Sequence, residues 1–139
     1  MQRFCFNPWG ECQIDKKRKH IRVPLAGVAV IGLRDYEDVQ LIQTTIADIS
    51  MSGIGLYLDE TLELYRDISI EIQFIGADGL MKTDYIEGYI VYAIPIGKIY
   101  FIGVEFDKEI DSTRQPFLYE RLQRILTLNS SGFFEEFFM

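Results

Sequence analysis

Positive charge is scarce in this sequence. Its 139 residues carry 14 Lys and Arg against 21 Asp and Glu, a formal net charge of −7. A field of that sign repels polyanions, so general affinity for DNA or RNA is not expected. Histidine is scarcer still, with His20 alone. A single imidazole with no Cys or Asp neighbour to orient it is a poor base for a catalytic triad. Nor can it complete a zinc site with Cys5 and Cys12, which lie at the wrong spacing and read as two free thiols in a reducing compartment. Long apolar runs are missing too. The longest stretch without a charge is Val23–Leu33, eleven residues, too short to span a bilayer. The N-terminus lacks the apolar run of a signal peptide. No Walker-type or dinucleotide-binding glycine pattern occurs, and no carboxylate pair sits in a recognisable motif. These absences predict a cytoplasmic, non-enzymatic protein that carries no metal or cofactor and does not insert into a membrane.

What is present fits one folded domain. The chain is 48% apolar and 14% aromatic, enough for a real core. Val23–Leu33 reads as a strand, because Pro24, Gly27 and Gly32 spoil a helix there. A charged turn over 34–38 leads to a second strand, Val39–Ile49, and Gly53–Leu58 follows as a short third. Ile68–Phe74 alternates apolar and polar strictly, as a strand with one face on a core and one in water does. Ala77-Asp78-Gly79 is a hairpin turn. Met81–Ile94 and Lys98–Phe106 form two more strands around a turn at Pro95-Ile96-Gly97. Asp111-Ser112 offers an N-cap, and Leu118, Leu122 and Ile125 share one stripe of an amphipathic helix that ends near Asn129. The pattern predicts an all-β fold with one C-terminal helix: a six-stranded antiparallel β-barrel. The expected organisation is an N-terminal arm over 1–15, the barrel with its helix over 16–129 and an aromatic tail over 130–139.

The few cations are not spread evenly. Lys16-Lys17-Arg18-Lys19-His20-Ile21-Arg22 holds five of the fourteen and no acid. Arg18 and Arg22 lie four positions apart, and in an extended segment they point to one side. Each guanidinium is a planar fork that can clamp a phosphate or the O6/N7 edge of guanine, which Lys cannot imitate. A second element, Asp48-Ile49-Ser50-Met51-Ser52-Gly53, supplies what arginine lacks. A carboxylate accepts from the N1–H and N2–H₂ edge of guanine, a hydroxyl can bond a phosphate or base amine, and glycine admits close backbone approach. Together the two elements describe a receptor for an anionic guanine nucleotide.

At these residues the chain resembles the PilZ domain family. Arg18-Lys19-His20-Ile21-Arg22 matches that family's RxxxR motif, and Asp48 through Gly53 matches its (D/N)xSxxG motif, in the usual order. Gly103-Val104-Glu105-Phe106 is similar to the G-V-x-F that often closes the last barrel strand. The resemblance covers about residues 16–128. It implies an antiparallel barrel that binds the bacterial second messenger cyclic di-GMP and relays the signal to motility, adhesion or exopolysaccharide machinery. It further implies that Arg18 and Arg22 hold the phosphates and contact guanine, that Asp48 and Ser50 bond a guanine edge, and that Gly53 allows the close turn. The position before the first arginine bears on whether one nucleotide or a stacked pair is bound. Here it is Lys17, which gives charge without the planar fork, so both stoichiometries stay open.

Two other readings compete. The tail from Phe133 to Met139 carries four Phe and a Met, which suits a nucleotide-independent adaptor using the barrel face and the tail to hold an unidentified effector protein. Eight tyrosines would suit single-stranded nucleic-acid binding, against which the net charge counts.

Overall fold

The computed structural model describes residues 20–35 and 38–130. Lys17, Arg18, the cysteines, the N-terminal arm and the aromatic tail beyond Ser130 lie outside that range. Among the described residues there are six strands: β1 (Gly27–Asp35), β2 (Asp38–Ile49), β3 (Gly53–Leu58), β4 (Asp67–Ile75), β5 (Met81–Ile96) and β6 (Ile99–Phe106). All neighbours are antiparallel, and they close a barrel in the order β1-β2-β3-β6-β5-β4, with β4 returning to β1. The six-stranded barrel with one C-terminal helix is thus the observed architecture. No helix among the described residues is long and apolar enough to cross a membrane.

Alternation explains the core. In β4, Ile68, Ile70, Ile72 and Phe74 are buried while the residues between them face outward. Ile54 and Leu56 of β3 and Ile102 and Val104 of β6 meet them across the interior. Several strand limits differ from the sequence reading, and two of the differences have a clear physical cause. The first strand begins at Gly27, not Val23, because Pro24 has no N–H to give a ladder. Val23 instead makes an isolated two-bond bridge with Ile49, at 2.8 and 2.9 Å. The turn expected at Pro95-Ile96-Gly97 falls at Gly97-Lys98, and β5 runs on to Ile96. Pro95 is tolerated in this strand because β5 has left β4 at Tyr89 and pairs there with β6 alone.

Two single-residue bulges interrupt the alternation. In β2 the register passes from Ile46↔Leu56 to Asp48↔Gly55, so Ala47 is the extra residue. In β5 it passes from Ile90↔Val104 to Tyr92↔Gly103, so Val91 is extra. Strand side chains alternate with period two, so each insertion exchanges the faces beyond it. Before the first bulge Ile42, Thr44 and Ile46 point inward; after it Ile49 does, and Asp48 points out. The second bulge does the same for Tyr92.

The helix α1 (Pro116–Ser130) is fixed to the barrel at its first turn. Pro116 stands at the first helical position, where no intrahelical partner is lost. The expected cap at Asp111 forms one turn earlier: its Oδ1 accepts from the N–H groups of Thr113 and Arg114 at 2.9 and 2.7 Å. The helix itself is capped from a different element. Leu118 N–H donates to Asp84 Oδ2 of β5 at 2.7 Å, and Phe117 N–H also bonds this carboxyl. Gln115, also buried, donates from Nε2 to the Tyr85 carbonyl at 3.1 Å. Leu118 and Leu122 are fully buried, each contributing roughly 1.5–3 kcal/mol. Their burial outweighs a capping bond of about 1 kcal/mol. The leucines therefore hold the helix down, and Asp84 sets where it starts.

Asp84 is 5% exposed, and burial pushes its carboxyl above the ordinary aspartate range, opposed by the two helix N–H donors. Replacing Asp84 with Ala is expected to lower stability by about 1–3 kcal/mol in urea denaturation, because buried N–H groups lose their acceptor. The pH dependence has a definite sign. A raised folded pKa means that the folded state binds the proton first. Its contribution to stability is fully present below the unfolded value, near pH 4, and is lost as pH rises through the folded value. The stability of the wild type relative to Asp84→Asn should therefore increase as pH falls across that interval. A flat difference would show that burial does not perturb this carboxyl.

Candidate functional site

The site residues of the described chain meet on the outside of the barrel, where β2 gives way to β3. The Val23–Ile49 bridge holds Arg22, next in the chain to Val23, close to Asp48, next to Ile49. The Ala47 bulge turns Asp48 outward, and Arg22 Nη1 donates to Asp48 Oδ1 at 2.8 Å. Side-chain exposure is 18% for Arg22 and 32% for Asp48, so the pair is only partly screened by water. The second carboxylate oxygen and the other arms of the guanidinium fork leave further acceptors and donors for a ligand.

Between β2 and β3 the chain makes a tight turn organised by Ser50. This residue is 3% exposed. Its Oγ accepts from the N–H groups of Ser52 and Gly53, both at 3.1 Å, and its own N–H donates to the Gly53 carbonyl at 2.8 Å. The hydroxyl proton has only long contacts, 3.4 Å to Ser52 Oγ and 3.5 Å to the Gly53 carbonyl, and is available to a better acceptor. The turn is latched from below, with Phe106 N–H donating to Ser52 O and Ile110 N–H to Met51 O, both at 2.9 Å.

Gly53 is buried although it faces outward. A Cβ there would stand 2.6 Å from the Val104 carbonyl oxygen and 3.3 Å from Arg22 Nη2. Glycine is therefore required by the Val104 carbonyl, and its bare surface also leaves room for Arg22. Arg22, Ser50, Ser52 and Gly53 open onto a cleft of about 440 Å³ that is also lined by His20, Glu105, Asp107 and Glu109. His20 Nε2 lies 3.7 Å from Glu109 Oε1. Among the described residues, no group of His, Cys, Asp and Glu is placed to hold a metal ion.

Of the residues singled out in the sequence, Arg22, Asp48, Ser50 and Gly53 are brought together; Lys17 and Arg18 lie outside the described residues. Sequence reasoning missed Ser52 and the acids that line the cleft. Glu105 was legible in principle, since it sits at an outward position of β6 directly opposite Gly53.

Gly53→Ala is expected to destabilise the protein by about 1–3 kcal/mol, since the nearest obstacle is a backbone carbonyl that cannot yield. Thermal unfolding checks this. For the ion pair, a double-mutant cycle with Arg22→Ala and Asp48→Ala should give a coupling of about 0.5–1 kcal/mol, in the range of partly exposed pairs. A coupling of zero would show that the contact does not hold in solution.

The fold has recognisable counterparts. The structure is similar to the Bacillus subtilis inhibitor of motility MotI/DgrA, with a TM-score of 0.62, 16% identity, and coverage of 80% of this chain and 52% of the other. It is also similar to Escherichia coli YcgR in complex with c-di-GMP, with a TM-score of 0.57, 16% identity, and coverage of 86% and 49%. At that identity the likeness shows the fold alone, and the chain spans about half the length of both proteins. No curated protein sequence matches significantly. The PilZ domain model matches residues 16–127, from the basic segment through most of α1. PilZ domains are non-enzymatic. With that match over most of its length, this chain belongs to the PilZ domain family.

Proposed function

We propose that the protein is a receptor for cyclic di-GMP that relays the nucleotide's arrival to another protein. The observation that carries this reading is the Arg22–Asp48 pair, joined on the outer wall of the barrel, with Arg22 also lining an open cleft. One group binds phosphate oxygens or the guanine O6/N7 edge; the other accepts from the opposite, donor edge. The solved complex of YcgR with c-di-GMP, on a barrel of the same kind, supports the assignment.

The division of labour follows from charge. The described wall of the cleft is rich in acceptors and presents Arg22 among carboxylates. A dianion needs more cations than that, and the basic segment supplies them. Val23 is pinned to Ile49, so Arg18 Cα can lie no more than roughly 18 Å from the pin when the chain is extended. It can therefore fold back over the cleft. Arg18 and Arg22 hold the phosphates, Lys17 adds charge, Asp48 takes the guanine N1–H and N2–H₂ donors, and Ser50 offers its hydroxyl. Bound nucleotide changes the course of the segment from 16 to 22, and this is the change that an effector protein in motility, adhesion or exopolysaccharide machinery reads.

Calorimetric titration tests the reading. Arg18→Ala, Arg22→Ala and Asp48→Ala should each weaken cyclic di-GMP binding at least about tenfold, the effect of losing one hydrogen-bonded charge. Cyclic di-AMP should bind more weakly than cyclic di-GMP by a similar factor, since adenine lacks the donor edge that Asp48 accepts. Absence of heat with the wild type at tens of micromolar ligand would overturn the proposal, as would equal affinity for the two nucleotides.

A further inference from the structure

A row of aromatic rings borders Asp48 on the same outer wall, and neither sequence motif includes it. Tyr57 of β3 and Phe101 of β6 have ring centroids 5.3 Å apart with planes tilted by 45°. Phe101 and Tyr92 of β5 follow at 5.7 Å and 41°. The rings lie down on the sheet because two strand positions beneath them have no side chain. A Cβ on Gly55 would come within 2.9 Å of the Phe101 ring, and one on Gly103 within 2.3 Å of the Tyr92 ring. The result is a low shelf, with Tyr57 39% exposed at its outer end.

The shelf is joined to the site. The point that meets the Phe101 ring above Gly55 is also 2.8 Å from Asp48 Oδ1. The carboxylate and the ring therefore flank the same glycine. Two β-bulges shape this wall: Ala47 turns Asp48 outward opposite Gly55, and Val91 turns Tyr92, the neighbour of Phe101, outward opposite Gly103. Without the second bulge Tyr92 would point into the barrel. Bulges of this kind re-aim side chains beside binding sites. A carboxylate that accepts from a purine edge lies in the plane of that purine, and the face of the purine then needs an apolar surface.

We infer that Phe101, braced by Tyr57 and Tyr92, is the surface on which the guanine base held at Asp48 stacks. This rests on the cyclic di-GMP reading above and adds to it a contact with the face of the base rather than its edge. Stacking of a base on an aromatic side chain is worth enough to be read as roughly a tenfold change in affinity.

The test uses the full chain and cyclic di-GMP, with wild type, Phe101→Leu and Phe101→Tyr compared by calorimetry and by NMR of the ligand. Phe101→Leu should bind about tenfold more weakly, Phe101→Tyr within about twofold of wild type. The guanine H8 resonance should move upfield on binding to wild type and less so on binding to Phe101→Leu, a ring-current effect that a merely structural role would not produce. If Phe101→Leu fails to fold by circular dichroism, the wild-type H8 shift decides alone. Wild-type binding with an unshifted H8, or with unchanged affinity in a folded Phe101→Leu, overturns the shelf and leaves the receptor reading standing. No binding by wild type overturns both.

Discussion

Each residue of a closed barrel strand faces either the core or the outside, and inserting one residue reverses every assignment after it. This parity constraint governs the outer wall of the molecule. Without Ala47, Asp48 would point among Ile42, Ile46 and their neighbours, and Ile49 would point to water. An unpaired carboxylate in such a core is several kcal/mol unfavourable, and exposing an isoleucine forfeits roughly another 2 kcal/mol. The bulge is thus held by both sides of the sheet at once. The same reasoning applies to Val91, beyond which Ala93 and Tyr92 exchange faces. Because the barrel has no free end along which register could slip, these placements persist once the ring is closed.

The architecture was largely legible in the sequence. Ile68–Phe74 alternates without interruption, and the stripe of Leu118 and Leu122 marks the buried side of α1. Both signals arise from local periodicity, which one strand or helix carries by itself. The bulges were not legible, because Ala47 and Val91 look ordinary and the extra residue exists only relative to a partner strand. The cap of α1 was misplaced for a related reason. Asp111 has the local signature of a cap, whereas Asp84 acts from 34 residues away. A trace of it was present: Asp84 occupies the same parity as Ile86 and Ile90, an acidic residue among inward positions. Arg22 and Asp48 could be paired in advance because their chemistry is complementary, but the ring of Phe101 could not, since its neighbour Gly55 belongs to another strand.

Electrostatically the described wall of the site is one-sided. Glu105, Asp107 and Glu109 face the cleft that Arg22 and His20 share. Such a surface discriminates against simple phosphate, which finds many acceptors and little positive charge. A ligand that combines anionic groups with hydrogen-bond donors meets a different balance, because its donors answer the carboxylates while its anionic groups meet Arg22.

The topology has a last consequence. Asp48 faces Gly55, Gly55 pairs with Gly103, Gly53 pairs with Glu105, and Val23 bridges to Ile49. Asp48 and Gly55 belong to the local β2–β3 hairpin, but the β3–β6 pairing is a seam between distant parts of the chain, unlike the hairpins β1–β2, β4–β5 and β5–β6, whose partners are close in sequence. No fragment that lacks β6 can present the aromatic shelf beside Asp48, and any fluctuation that parts β3 from β6 separates Tyr57 from Phe101 while leaving those hairpins intact. A ligand confined to this wall holds the seam shut by mass action. The amides of β3 and β6 would then exchange with solvent more slowly in its presence, even though most of them never touch it.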